Sequence, residues 1–299
     1  MSSKEKLSGV FAPVVTPFLD DEIVYDKLAE NIEKLNQSSL KGYLALGSNG
    51  EFKSLNHAEK EKVLKTILAA RSEGKVVMAG TAAESTKETI ELTQMAARLG
   101  ADFASLLTPH YFKKRMTDAM LVGYFTQVAD ASEVPVLLYN APGFTGLTLS
   151  PKVVAEAAAH PNIVGMKDTS TGNKDAYLAA AAGKEYYVLA GSASDFFPSL
   201  ILGATGGVLS LANAFPQMCD KLYQLAIGGK IDQSCEVHRK IISANKSVSG
   251  SYGVAGVKAA MTLAGFFGGQ PRLPLTPITD AQKTEMKDKL IQAGILNNG

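Results

Sequence analysis

The run NIVGMKDTS (Asn162–Ser170) ends an apolar stretch on a lysine, Lys167. A lysine there either snorkels to solvent or sits in a pocket. A desolvated lysine loses its proton more easily and can then attack a carbonyl to form a Schiff base. Tyr139 closes a second apolar run, VPVLLY (Val134–Tyr139), and also has two readings. It is a lining aromatic with a hydrogen-bonded hydroxyl, or a proton relay if that hydroxyl reaches a substrate. In GSNGE (Gly47–Glu51), two glycines would let backbone N–H groups approach a ligand, with Ser48 and Asn49 between them. Such a loop suits a carboxylate, although an ordinary turn has the same composition. GSASD (Gly191–Asp195) and GATGG (Gly203–Gly207) read as tight turns rather than a phosphate site, because no basic residue accompanies their glycines.

Other chemistries find little support. The four histidines (His57, His110, His160, His238) lack metal-ligand spacing, so no metal site is expected. Cys219 and Cys235 form no CxxC pair and read as small, reduced core residues. Thirty basic against 29 acidic side chains leave a formal charge of +1, with no block of like charge. Nucleic acid and anionic membrane therefore have no electrostatic footprint here. The start MSSKEKLSG has no apolar h-region, and no run of 18 apolar residues occurs. A soluble, cytoplasmic protein is the expectation.

The elements that must position these residues follow from eight short apolar runs. They lie near 9–15, 42–47, 75–80, 102–107, 134–139, 162–167, 186–191 and 205–212 of the 299-residue chain. The runs are continuous rather than alternating, as in strands buried on both faces of a parallel sheet. Helical segments separate them. Asn56 with Glu59, and Ser85 with Glu88, have capping-box spacing; Gly74 and Gly100 fit helix ends, and Ser150–Pro151 fits a helix start. Eight strand–helix units predict a (β/α)8 TIM barrel over residues 1–212. A doubly wound sheet is disfavoured, since no glycine fingerprint follows the first strand. Residues 213–299 read as helices only, a C-terminal helical region packed on the barrel.

A barrel places chemistry at the C-terminal ends of its strands. TPF (Thr16–Phe18), GSNGEF (Gly47–Phe52), TPHYF (Thr108–Phe112), Tyr139, Lys167 and GSASD all fall there. Adjacent fifth and sixth strands could bring Tyr139 and Lys167 together, as an acid/base serving a carbinolamine requires.

Taken together, GxxGE at Gly47–Glu51, YNxPxxTG at Tyr139–Gly146 and GMKD at Gly165–Asp168 resemble the pyruvate-dependent class I aldolases. That family includes dihydrodipicolinate synthase and N-acetylneuraminate lyase, and the resemblance runs from about Gly9 to Gly294. It implies that Lys167 forms the Schiff base with a 2-oxo acid such as pyruvate and that Tyr139 relays protons. It implies that Ser48 and Asn49 hold the pyruvyl carboxylate, that Thr169, Gly191 and Leu209 line the pocket, and that Tyr111 reaches into a neighbouring subunit's site. It further implies a homotetramer built as a dimer of dimers, with no metal or organic cofactor beyond the covalent Schiff base.

Within the family, GSNGEF, KKRM (Lys113–Met116), VLAGSA, GGVLSLAN and FFGGQPRLPL look closer to 4-hydroxy-2-oxoglutarate aldolases. Synthases usually carry an arginine in the tyrosine loop, where this chain has Phe144, and an apolar ring cannot make the bidentate pair a carboxylate prefers. The expected reaction is reversible cleavage of a 4-hydroxy-2-oxo acid to pyruvate and an aldehyde such as glyoxylate. Lys113, Lys114 or Arg115 could take the distal carboxylate, or could be a solvated charge run. The rivals are dihydrodipicolinate synthase, a 2-keto-3-deoxy sugar-acid aldolase or dehydratase, a pyridoxal-phosphate barrel enzyme and a non-catalytic sugar-acid sensor. Retention of both Lys167 and Tyr139 weighs against the sensor.

Overall fold

The computed structural model describes residues 1–297. Eight parallel strands close into a barrel. They are β1 (Gly9–Pro13), β2 (Gly42–Ala45), β3 (Val76–Gly80), β4 (Phe103–Leu107), β5 (Val136–Asn140), β6 (Ile163–Asp168), β7 (Tyr187–Ala190) and β8 (Gly206–Val208). A helix follows each in turn: α1 (Tyr25–Asn36), α2 (His57–Ala70), α3 (Thr86–Leu99), α4 (Asp118–Asp130), α5 (Pro151–Ala157), α6 (Lys174–Ala180), α7 (Phe196–Leu202) and α8 (Pro216–Ile227). Helices α9 (Ile231–Asn245), α10 (Ser251–Leu263) and α11 (Asp280–Gln292) extend the C-terminal end. This is the (β/α)8 barrel with a helical extension that the alternating runs predict, and the doubly wound alternative is excluded by closure. No helix among the described residues is long and apolar enough to cross a membrane.

The chain divides into two compact units, one of Met1–Ser8 with Val76–Gly207 and the other of Gly9–Lys75 with Val208–Gly299. In the first, the Ser85 hydroxyl accepts from the Glu88 amide at the start of α3, and Gly100 ends that helix at φ +97°. Pro151 opens α5 behind the Ser150 cap. Val136 and Leu138 of β5, with Ile163 and Met166 of β6, pack against Phe125, Val128, Val153, Val154 and Tyr177 from α4, α5 and α6.

One irregularity in this core decides which way Lys167 points. Val136 pairs with Ile163, but Leu137 pairs with Gly165, so β6 carries one extra residue, Val164. Side chains alternate along a strand, and one inserted residue exchanges the two faces beyond it. Ile163 joins the helix-facing core before the bulge, and Met166 joins it after. Strict alternation from Ile163 would have turned Lys167 toward the helices. The bulge turns it to the inner face instead and gives the helix side to Asp168.

In the second unit, Asn56 and Glu59 form the expected capping box at α2. That helix stops at Ala70, where Arg71 turns extended, short of the expected stop near Gly74. The eighth strand is also shorter than its run: after Val208 the chain winds into a 3-10 turn, Ser210–Asn213. There the Asn213 amide donates to the Pro13 and Ser210 carbonyls (2.9 and 3.1 Å). Cys219 is buried in α8, Cys235 is half-buried in α9, and both are free thiols. Burial pushes the Cys219 thiol up to about 12.

Gly165 lies just past the bulge, where a Cβ would collide with the Tyr187 carbonyl oxygen of β7 and press on Leu137. The Tyr187 backbone cannot give way within the sheet. Gly165→Ala is expected to cost about 1–3 kcal/mol or more by overpacking, read as a lowered midpoint in chemical denaturation. Gly143→Ala, with open space around its Cβ, should leave the midpoint unchanged.

Candidate active site

The register beyond the bulge sets Tyr139 opposite Lys167 and Asn140 opposite Asp168. Each strand thus offers one residue of each pair to each face. On the inner face, Lys167 Nζ lies 4.2 Å from the centroid of the Tyr139 ring. Both side chains are 5% exposed. A cation over an aromatic face is attracted by the ring quadrupole, so the two stabilise each other's placement.

The opposite face holds a buried polar network that fixes this arrangement. Asp168 Oδ1 accepts from Asn140 Nδ2 (2.8 Å), from the Ser170 amide (2.9 Å) and from the Ser170 hydroxyl (2.7 Å). Its Oδ2 accepts from Lys174 Nζ at 3.2 Å, and the same ammonium pairs with Asp195. Tyr177 receives a bond from Asn140 Nδ2 (3.1 Å) and donates to the Leu149 carbonyl (2.7 Å). Burial, reinforced by the Asp168 charge, pushes the Tyr177 phenol up to about 12, which keeps it a neutral donor.

Thr169 donates both its amide and its hydroxyl to the Asn140 carbonyl, each at 3.0 Å. The Gly191 amide donates to the Asp168 carbonyl at 2.7 Å. A Cβ at Gly191 would run into Thr169 and the Asp168 carbonyl, so the end of β7 approaches β6 this closely because residue 191 has no side chain. Thr169 and Gly191, expected to line a pocket, are therefore brought together with Lys167 and Tyr139 at the ends of three neighbouring strands.

Three lysines are buried among the described residues: Lys167 at 5%, Lys174 at 4% and Lys258 at 1% exposure. Lys174 pairs with Asp168 and Asp195, and Lys258 pairs with Glu51. Lys167 has no carboxylate partner among the described residues, since Asp168, its neighbour in sequence, points the other way. A buried charge is ordinarily paired. The amine without a carboxylate, at the C-terminal end of a barrel strand, is the one left available for covalent chemistry.

Ser48, Asn49 and Leu209 belong to the second unit. Ser48–Gly50 forms a 3-10 turn directly after β2, closed by bonds from Gly50 N to Gly47 O (3.0 Å) and from Glu51 N to Ser48 O (3.1 Å). Leu46 and Glu51 flank the turn with left-handed backbone, φ +55° and +52°. Side chains rarely adopt that region, and strain of this kind collects at functional turns. Asn49 Nδ2 is buried with no hydrogen-bond partner. An unmade buried bond is costly unless a ligand completes it. Leu209 is buried, its amide donating to the Phe11 carbonyl at 2.9 Å.

Tyr111 stands apart on the surface, 79% exposed, its ring edge-on to Phe112 at 5.0 Å. Glu84 holds this loop by accepting from the His110 and Tyr111 amides, both at 2.9 Å. Sequence reasoning missed Thr108, one residue past β4, whose buried hydroxyl has no partner. Only its place in TPHYF at a strand end could have singled it out.

Comparison with known proteins agrees with this geometry. Residues 6–293 match the model of the dihydrodipicolinate synthetase family. The 4-hydroxy-tetrahydrodipicolinate synthase of Methanothrix thermoacetophila is 34% identical over 285 residues, 94% of this chain and 95% of that protein. Among solved structures, the chloride-inhibited dihydrodipicolinate synthase of Acinetobacter baumannii complexed with pyruvate is 31% identical. It superposes with a TM-score of 0.91, covering 97% of this chain and 100% of that one. The E. coli prophage protein YagE, in complex with pyruvate, is 28% identical with a TM-score of 0.91, covering 97% and 99%.

Removing the Asp168 carboxylate would take one of the two carboxylates from the buried Lys174 ammonium and the charged acceptor from Asn140 and Ser170. Asp168→Ala is expected to destabilise the protein by about 3–5 kcal/mol, measured by urea denaturation.

Proposed function

The chain belongs to the dihydrodipicolinate synthetase family, and on that premise we propose that it is a class I aldolase cleaving 4-hydroxy-2-oxo acids. The preferred substrate is 4-hydroxy-2-oxoglutarate, split reversibly to pyruvate and glyoxylate. The observation that carries this reading is the buried Lys167 amine, seated on Tyr139 with no carboxylate partner among the described residues.

In this mechanism the amine adds to C2 of the substrate, and loss of water from the carbinolamine gives an iminium. Tyr139 gives its phenol proton to the carbinolamine hydroxyl that leaves as water, and the resulting phenolate then takes the C4-hydroxyl proton. The C3–C4 electron pair moves toward the iminium nitrogen, the aldehyde departs and an enamine remains. The Tyr139 phenol returns that proton to C3 of the enamine, and water adds at C2 with its proton passing back to the phenolate, which releases pyruvate and restores Lys167. The iminium is itself the electron sink, so the chemistry calls for no metal or organic cofactor. Ser48 and Asn49 take the pyruvyl carboxylate, for which the unpartnered Asn49 Nδ2 is a ready donor. Thr169, Gly191 and Leu209 contribute walls. We assign Tyr111 to a neighbouring subunit's site in a homotetramer, which its exposed ring supports. A cytoplasmic location goes with the same reading.

The relatives' names support a second reading, condensation of pyruvate with aspartate semialdehyde. The loop after Tyr139 favours the aldolase. It presents Phe144, 67% exposed, rather than a cation. The cation beside it comes from the turn Lys113–Arg115: a Cβ at Gly146 would lie 2.8 Å from Lys113 Nζ. Of the three basic residues there, we assign the distal carboxylate to Lys113, which its closeness to Gly146 of the tyrosine loop supports.

A substrate panel separates the two readings. Pyruvate release from 4-hydroxy-2-oxoglutarate, well above any condensation with aspartate semialdehyde, supports the aldolase, and the reverse preference overturns it. Lys113→Ala should raise KM for 4-hydroxy-2-oxoglutarate about tenfold to a hundredfold, the worth of a charged hydrogen bond. Its kcat should change little, and Lys114→Ala should leave both constants unchanged.

A further inference from the structure

Behind the turn Ser48–Gly50 lies a buried ion pair that the catalytic mechanism does not use. Glu51 and Lys258 are both nearly inaccessible, and Lys258 Nζ binds Glu51 Oε1. The same ammonium donates to the Thr16 carbonyl (2.7 Å) and the Gln270 carbonyl (2.6 Å). An ammonium has three protons, and all three are taken. None is left for a substrate. Glu51 Oε2 accepts from the Arg272 amide at 2.8 Å, so the carboxylate is held from two sides.

Lys258 therefore joins three segments of this unit. The first is the loop after β1: Thr16 gives its carbonyl to Lys258 and donates its hydroxyl to the Gly50 carbonyl at 2.8 Å. The second is the turn after β2, which Glu51 terminates in a left-handed conformation. The third is the stretch after α10, brought close because Gly268 lies against the Lys258 backbone, where any Cβ would collide with its carbonyl. Two bonded paths, one through Glu51 and one through Thr16, thus run from Lys258 to the backbone of the turn.

Burying an ion pair is a poor way to gain stability, since a well-packed neutral pair commonly does as well. Charge at this place is explained by what it holds. Glu51 occupies a backbone region unfavourable to side chains, and a shift there would move the Gly50 carbonyl and the Ser48–Asn49 donors with it. We propose that Lys258 is a positioning residue: by clamping Glu51 and Thr16 it holds the Ser48–Gly50 turn in the geometry that grips the carboxylate of the 2-oxo acid. This inference rests on the role proposed above for Ser48 and Asn49.

The clamp is also sensitive to pH. Burial draws the Lys258 amine down to about 8, against the opposing pull of Glu51 and with a further push from Arg272. Besides Glu51, the charged group acting on it among the described residues is Arg272, which is bound to Glu59 (2.8 and 2.9 Å), to the Asp21 carbonyl (2.8 Å) and to the Asp21 carboxylate (3.6 Å). The Phe18 ring packs 4.6 Å from Nζ. As pH rises through about 8 the ammonium loses its proton, and Glu51 loses its ionic partner.

The test uses borohydride trapping on the full chain, with labelled fraction followed by intact mass against concentration of pyruvate or of methyl pyruvate. The ester lacks the carboxylate, so the ratio of the two half-saturating concentrations cancels effects on the amine. Lys258→Met strands Glu51 and can unfold the protein, so Lys258→Met/Glu51→Gln, which removes both charges, accompanies it. The wild-type preference for pyruvate over its ester should fall at least tenfold in the double variant, with methyl pyruvate trapping unchanged. In the wild type the preference should also decline as pH rises from 7 to 9. A preference in wild type that stays constant over that range overturns the inference, as does a folded double variant that keeps the wild-type preference. If wild type forms no adduct with either ketone, the proposed function fails and this inference falls with it.

Discussion

One extra residue in β6 is the constraint on which the site depends. Without the bulge, strict alternation through Val164 would keep Ile163 and Lys167 on the same face, among the helices. With it, Lys167 and Tyr139 share the inner face, and Asp168 and Asn140 share the outer one. A bulge alone would be a loose device. The Asn140–Asp168 bond, the two bonds from Thr169 and the bond from Gly191 lock the strand ends together beyond it. The outer network holds the register, and the register aims the inner pair.

The same logic governs charge. Lys174 and Lys258 are buried with carboxylates, and every strong partner they have is structural. Lys167 is buried almost as deeply but rests on an aromatic ring. Identical side chains thus take the places proposed for a strand-end tie, a loop clamp and a nucleophile, and the difference lies in what each is buried against. Burial with a carboxylate spends the ammonium on structure. Burial on an aromatic ring leaves the amine for a carbonyl carbon.

Much of this was legible in the amino-acid sequence. The eight apolar runs marked the barrel strands, and Asn56, Gly100 and Pro151 marked helix ends, because those signals act within one turn of backbone. The ends of strands and helices were less legible. β8 stops at Val208 just before the turn in which Asn213 reaches the Pro13 carbonyl, and α2 ends at Ala70 where Asn36 takes the Ala70 carbonyl and the Ser72 amide, bonds made across the chain that no local pattern shows. The bulge was invisible: IVGM is apolar throughout, so no alternation betrays which face each residue takes. The Lys258–Glu51 pair joins residues far apart in the chain, and no local pattern announces it. Lys167 and Tyr139 stood out only because a barrel gives meaning to the end of a strand.

The central claim is that Lys167, alone of the three buried lysines, carries the covalent chemistry. The measurement that tests it most directly is proteolytic peptide mapping of protein reduced with borohydride in the presence of pyruvate. The expected result is a pyruvyl adduct confined to the peptide containing NIVGMKD, at Lys167. An adduct at Lys174 or Lys258, or none at all on the folded protein, would contradict it.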